Sequence, residues 1–274
     1  MGANKFIAVL SLLVAVLLYG APAEAQQPRV WVPDPNVVMP EGTRSWVSGL
    51  GDDANPCLRD KPCKTFAGAI SKTDANGEIN VLDAGGYGGV TITKSISIVA
   101  VGTTAGIVTG GFNGIVVNAG TNGVVNLSGL DVYSTAEIPS RNGVRIVSAA
   151  LVHIDNCTIR GFLSNPGLGI DVEATTTTQV VISNCTISGN LGGVLVKPAG
   201  TSPVQVLLDR VHLIGNATGV RVEGNAIVRL NRSAVTANKI GLETVGAGQI
   251  LSFGNNIISG NATNGTPSDT IQLK

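Results

Sequence analysis

Charge is scarce in this chain. Only 13% of its 274 residues are charged, Lys plus Arg equals Asp plus Glu at 18 each, and the formal net charge is zero. No run of Lys or Arg stands ready to follow a phosphate backbone or an anionic membrane, so neither nucleic acid nor a membrane surface is indicated as a partner. Aromatic residues make up 4%, which leaves few rings for stacking on a ligand. What the chain has in abundance is Gly, Val, Ile, Thr and Asn, a composition that favours strands and turns over helices.

The beginning of the chain reads as a leader. Lys5 precedes a predominantly apolar run from Phe6 to Leu18, and Ala23-Glu24-Ala25 follows, ahead of Gln26. This is the pattern of a secretory signal peptide over residues 1–25 with an Ala-x-Ala cleavage site. The apolar run is shorter than the roughly 20 residues a bilayer core requires, and no second stretch of that length follows, so no membrane span is expected after cleavage. A secreted or periplasmic location follows, in which the four cysteines can pair.

A weak internal repeat organises the rest. Gly followed by apolar, any and apolar residues recurs at Gly114, Gly143, Gly169, Gly193, Gly219 and Gly241, spaced 22 to 29 positions apart. Between these lie paired short strands broken by a polar corner: Val125 to Val132, Val152 to Ile159, Val180 to Ile187, Val206 to Leu213, Val228 to Val235 and Leu251 to Ile258. An Asn then recurs at Asn190, Asn216, Asn238 and Asn261. Period-2 alternation in short runs means half-buried strands, and a repeat of 20 to 30 residues means a solenoid whose coils bury their faces against their neighbours. A leucine-rich horseshoe would need a Leu-rich skeleton and a helical return segment, and neither is present. A β-sandwich accommodates short strands with Gly turns but does not predict the same corner recurring in register.

The expected fold is therefore all-β, a right-handed parallel β-helix over 86–262 with a short N-terminal capping helix. An extended segment over 26–45 and a cap and first-coil entry over 46–85 precede it, and a C-terminal tail over 263–274 follows. Stacking makes Cys157 and Cys185 neighbours in the core; a bridge is sterically allowed, but buried cysteines that act as small hydrophobes are favoured. The recurrent Asn column predicts a side-chain ladder that satisfies buried backbone groups. Near the N-terminus, Thr65 is an N-cap, and Phe66, Ala69 and Ile70 share one face of a helix ended by Asn76-Gly77. Such a helix covers the open solenoid end. Cys57 and Cys63 close a small loop expected to be a disulfide; a zinc site would want more ligands at closer spacing.

Several segments resemble the pectate-lyase-like, right-handed parallel β-helix superfamily. They are Val47-Ser48 to Asn55, Pro62-Cys63-Lys64-Thr65-Phe66 to Ala69-Ile70, Gly77-Glu78-Ile79-Asn80-Val81-Leu82 to Gly86-Tyr87, Asn156-Cys157-Thr158-Ile159 and Asn184-Cys185-Thr186-Ile187-Ser188-Gly189-Asn190. The likeness spans Trp46 to Asn261. It implies the fold but no single activity, because that superfamily includes lyases, hydrolases, esterases, epimerases and noncatalytic surface proteins.

A β-eliminating lyase needs a basic residue beside calcium held by acids, and a glycosidase needs carboxylates facing across a sugar. The outward column after the repeat glycines reads Val116, Arg145, Asp171, Leu195, Arg221, Glu243, which yields two opposite-charge neighbours suited to stabilising a sheet. Arg145, His153, Asp155 and Asp171 form the best available catalytic set, near the longer excursions at 133–141 and 162–167. Paired-aspartate strings and the Asp-His or Arg-Pro motifs of better-known relatives are missing from the sequence. Asp52 and Asp53 are weak calcium candidates in a turn-like stretch; otherwise no cofactor is implied. The leading expectation is a noncatalytic exported protein presenting a sheet face, with Val181, Leu195 and Leu207 as an apolar partner strip for polysaccharide or an extracytoplasmic protein. The rival is a polysaccharide lyase or hydrolase with its site on the same face.

Overall fold

The computed structural model of the protein describes residues 42–108 and 110–272. The leader expected over 1–25 and most of the extended segment expected over 26–45 lie outside the described residues.

Three parallel sheets run the length of a right-handed β-helix. The first holds ten strands: Arg44–Val47, Gly77–Val81, Ile96–Val99, Val124–Ser128, Leu151–Asp155, Thr178–Ser183, Val204–Asp209, Ala226–Asn231, Gln249–Ser252 and Asp269–Thr270. The second holds eight: Gly85–Gly86, Ala105–Ile107, Leu130–Tyr133, Thr158–Arg160, Thr186–Ser188, His212–Ile214, Ala234–Thr236 and Ile257–Ile258. The third holds seven: Val90–Ile92, Ile115–Asn118, Asn142–Ser148, Leu168–Val172, Gly192–Val196, Thr218–Glu223 and Ile240–Val245. Each coil passes from the first sheet through a tight corner to the second, then across a second corner to the third.

Alternation decides what faces in. In the coil from Leu151 to Val172, the side chains of Val152, Ile154, Cys157, Ile159, Phe162, Ile170 and Val172 are all buried. Register stacks them on like residues: Val152 pairs with Val125 and Val180, Ile154 with Leu127 and Ile182, and Ile159 with Val132 and Ile187. The core is thus a set of aliphatic columns, each coil burying apolar area against the next. Cys157 and Cys185 are buried and unbridged, and the Cys157 backbone N–H lies 3.4 Å from the Cys185 sulfur.

Two corner columns shape the coil. Between the first and second sheets, Gly129, Asn156, Asn184, Arg210, Arg232 and Gly254 all adopt positive φ, between 48° and 76°. Between the second and third, Gly161, Gly189, Gly215, Ala237 and Gly260 do the same, and the residue after each points inward. That residue is Phe162 in the first of these corners and Asn190, Asn216, Asn238 and Asn261 in the rest. The asparagines form a continuous ladder, Nδ2 to Oδ1, at 3.0, 3.0 and 2.9 Å. Asn264 accepts from Asn261 at 3.1 Å and ends it.

The repeat glycines have a different reason. Their φ is ordinary, but a Cβ on Gly143, Gly169, Gly193 or Gly219 would sit 2.5 to 2.8 Å from the carbonyl oxygen of the repeat glycine one coil on. Close stacking of backbones, rather than a left-handed turn, makes glycine obligatory there.

The capping helix spans Phe66–Lys72, with Thr65 as N-cap accepting from Gly68 N–H at 2.9 Å. It ends earlier than the Asn76-Gly77 stop expected: Thr73 turns extended at φ −94°, ψ 134° while its N–H makes the last bond to the Ala69 carbonyl at 3.0 Å, and Gly77 already begins a strand. Phe66 packs on the buried Tyr87, ring centroids 5.3 Å apart. Cys57 and Cys63 are joined by a disulfide. Two boundaries differ from the sequence expectation. Arg44 and Ser45, assigned to the extended segment, open the first sheet by pairing with Glu78 and Ile79. Residues 263–274, assigned to a tail, contribute Asp269–Thr270 to the same sheet.

Candidate functional site

The four sequence-selected catalytic candidates occupy two faces. Arg145 and Asp171 are register partners on the third sheet, whereas His153 and Asp155 project from the first. Arg145 Nε stands 4.0 Å from Asp171, but its guanidinium makes its close contact with Glu173, at 2.6 Å, a residue outside the column read from the sequence. Glu173 lies two residues beyond Asp171, on the same outward side where the strand ends. Asp171 is only 2% exposed. Burial, followed by the nearby Glu173 charge, raises its pKa to about 7 against the opposing pull of Arg145 and Lys197. Asn142 donates to Asp171 Oδ2 at 2.9 Å, while Oδ1 has no hydrogen-bond partner.

On the first sheet, His153 Nε2 lies 3.1 Å from Ser183 Oγ. The Ser183 hydroxyl and the Asn184 amide both donate to Asp155 Oδ1, at 2.6 and 2.7 Å. The chain turns a corner between Arg145 and His153, and that corner separates the two pairs. Arg221 and Glu243, the second pair read from the column, meet at 3.0 Å, and Glu223 joins them at 2.6 Å.

The apolar trio is likewise divided. Val181 and Leu207 are register partners on the first sheet, but Leu195 belongs to the third. A corner of the coil lies between these outward positions, so they do not form a continuous strip. All three side chains are partly buried. Asp52 is held within its own turn, whereas Asp53 ties that turn to the start of the capping helix. Asp52 accepts from Ala54 N–H at 2.9 Å. Asp53 accepts from the backbone N–H groups of Lys64 and Thr65 at 2.9 Å and from the Thr65 hydroxyl at 2.8 Å. Burial raises the Asp53 pKa, yet those hydrogen bonds and the Lys72 charge outweigh it, and the net shift is downward. Among the described residues no group of three or more His, Cys, Asp or Glu is placed to hold a metal ion. No described helix is long and apolar enough to cross a membrane.

A hollow the sequence did not disclose lies above the N-terminal part of the third sheet. Its volume is about 650 Å³. Thr91 and Val116 line the floor, Ala67 and Ile70 of the capping helix form one wall, and Phe112, Asn113 and Arg141 form the other. The far wall is stitched by the backbone: Arg141 N–H donates to the Phe112 carbonyl at 2.9 Å, and Gly111 N–H to the Pro139 carbonyl at 2.7 Å. Phe112 is 74% exposed. The guanidinium of Arg141 is exposed, and no ion pair or side-chain hydrogen bond engages it among the described residues. The only sequence signal for this site was the long excursion ending at Arg141. Phe112 follows Gly110-Gly111 and carries no motif.

These features define a class: a right-handed parallel β-helix with a helical N-terminal cap, a charge-paired sheet face and a groove beside its entry coils. The chain belongs to the right handed beta helix region family, whose model matches residues 113–268. Among solved structures it is similar to the crystal structure of pectate lyase Pel9A, with a TM-score of 0.52 and 13% identity over 84% of this chain and 78% of that one. At that identity the likeness concerns the fold. No curated protein matches the chain.

Proposed function

We propose that this is an exported, noncatalytic β-helix protein that binds polysaccharide in the groove above the third sheet. The observation that carries the reading is the juxtaposition of an exposed ring, Phe112, and an exposed arginine, Arg141, on one wall of a cavity of about 650 Å³. A ring offers a face to the C–H side of a sugar, and a guanidinium offers a planar set of donors to its oxygens. The noncatalytic part rests on the separation of Arg145 and Asp171 from His153 and Asp155. The export part rests on the leader pattern and agrees with the Cys57–Cys63 disulfide. The similar solved structure carries the name of a polysaccharide-cleaving enzyme, which is in keeping with the ligand class.

A second reading, a hydrolase or lyase, has one observation in its favour: Asp171 is poised to titrate near neutrality beside Glu173. Its 2% exposure weighs against contact with a substrate.

The test is calorimetric titration of acidic and neutral polysaccharides, with and without calcium, while unsaturated products and new reducing ends are followed. Binding without turnover, weakened about tenfold (~1.4 kcal/mol) in Phe112→Ala and in Arg141→Ala, is expected. Turnover abolished by Arg145→Ala or Asp155→Ala would reverse the noncatalytic reading.

A further inference from the structure

A second, smaller hollow lies on the opposite corner of the coil, outside the second sheet, with a volume of about 380 Å³. Thr103, Thr104, Asp131, Asn156, Thr158 and Arg160 supply its polar lining. The second sheet's register sets Thr158 against Asp131 and Arg160 against Tyr133. Arg160 donates to Asp131 Oδ2 at 2.8 Å and lies over the Tyr133 ring at 4.9 Å from its centroid. The carboxylate is therefore clamped on one side only. Asp131 Oδ1 is buried and has no hydrogen-bond partner. No side-chain hydrogen bond engages the Asn156 amide or the hydroxyls of Thr103, Thr104 and Thr158 among the described residues.

Charge balance narrows what such a hollow takes. A divalent cation would want several oxygen anions, but there is one carboxylate, with a guanidinium 2.8 Å away. An anion would meet Asp131. The paired Asp131 and Arg160 cancel, leaving a neutral rim of alternating donors and acceptors: an amide oxygen that accepts, an amide nitrogen and a guanidinium edge, held in place by Asp131, that donate, and three hydroxyls that do both. Vicinal hydroxyls of a sugar, each both donor and acceptor, match that rim. Gly129 lines the hollow at φ +74°, with the Ala100 carbonyl standing where a Cβ would point. Asn156 holds the left-handed corner next to it at φ 52°.

We infer that the Asp131, Asn156, Thr158 and Arg160 hollow is a neutral-saccharide binding site, distinct from the groove at Phe112 and Arg141. It sits on another face of the solenoid and shares no lining residue with that groove. Together with the groove site, and resting on that reading, a second sugar site on a separate face would let one chain bridge two glycan strands.

The experiment is NMR titration of the purified protein with cellobiose, maltose and mannobiose, with digalacturonate as the acidic comparator. At least one neutral disaccharide is expected to bind with Kd on the order of 1–10 mM and to shift the Gly129, Asp131, Asn156 and Thr158 amides. Asp131→Ala and Asn156→Ala should each weaken the binding read at these amides at least about fivefold, while Phe112→Ala leaves the shifts of these amides in place. Asp131→Asn keeps the shape and serves if the alanine variant misfolds; it should also weaken binding. The assignment is overturned if none of the neutral disaccharides shifts these amides, if the shifts survive both Asp131 variants, or if only digalacturonate produces them. Loss of binding in Phe112→Ala alone would instead place the sugar in the groove.

Discussion

The side-chain amide of Asn190 donates to Asn216 Oδ1 at 3.0 Å, and the Asn190 backbone N–H donates to the same oxygen at 3.1 Å. One buried oxygen thus satisfies two buried donors of the preceding coil. Asn216 in turn donates to the Ile187 carbonyl at 3.1 Å and to Asn238 Oδ1 at 3.0 Å. Asn216→Ala leaves the two Asn190 donors and the Ile187 carbonyl without this partner, while Asn238 Oδ1 keeps only the Asn216 backbone N–H at 2.9 Å, and a loss of about 3 kcal/mol is expected from urea unfolding. Asn216→Asp should fail to rescue it, since the replacement keeps the acceptor, loses both donors and sets an anion against Asn238 Oδ1. An Asp variant as stable as the native chain would show that the ladder's donors contribute nothing.

Two glycines separate close packing from backbone strain. A Cβ on Gly193 would stand 2.5 Å from the Gly219 carbonyl oxygen, so Gly193→Ala has to prise coils apart, at a cost of about 2 kcal/mol or more. Gly215 has φ +66° and open space around its missing Cβ. Gly215→Ala should lose only about 1 kcal/mol, the left-handed penalty alone. Thermal unfolding of the two variants side by side checks the order.

Ala237 occupies that same corner column with φ 55°, where the neighbouring coils carry glycine. Ala237→Gly relieves left-handed strain of about 1 kcal/mol and gives back part of it as added freedom of the unfolded chain. A small gain, on the order of 0.5 kcal/mol, is expected in the unfolding midpoint. A clear loss would mean that the alanine methyl packs usefully.

Asp171 makes stability depend on pH in a defined direction. Its folded pKa, about 7, lies above the value of roughly 3.9 expected when unfolded. Between those values the folded chain binds the extra proton, so this contribution is full below pH 4 and drains away as pH rises to 7. Asp171→Asn keeps an acceptor for Asn142 and removes the titration. The variant should be more stable than the native chain at pH 8, by on the order of 2 kcal/mol, and the difference should shrink at pH 5. An equal difference at both pH values would place the titration elsewhere.

The repeat was legible because the physics behind it is periodic. Alternating apolar residues, the Gly column and the Asn column each recur once per coil, so the stacking of Val152, Val180 and Val206 is legible in the sequence. Register followed, and with it the Arg221–Glu243 contact and the unbridged Cys157 and Cys185. Local chemistry also placed Thr65 as a cap, and the loop spacing paired Cys57 with Cys63.

What depends on where a corner points was beyond a column read along the chain. Val181 and Leu195 are both outward, yet a corner turns them onto different sheets; the same turn parts Arg145 from His153. Glu173, Phe112 and Arg141 lie outside the repeating strand cores, so no period marked them, and only folding brought Glu173 to Arg145 and Phe112 to Arg141. The sequence by itself determined the coil, its core columns and its ladder, because each is set by neighbours one period away. The groove, the burial of Asp171 and the hollow at Asp131 were decided by tertiary structure alone, since irregular loops of unequal length set which side chains converge.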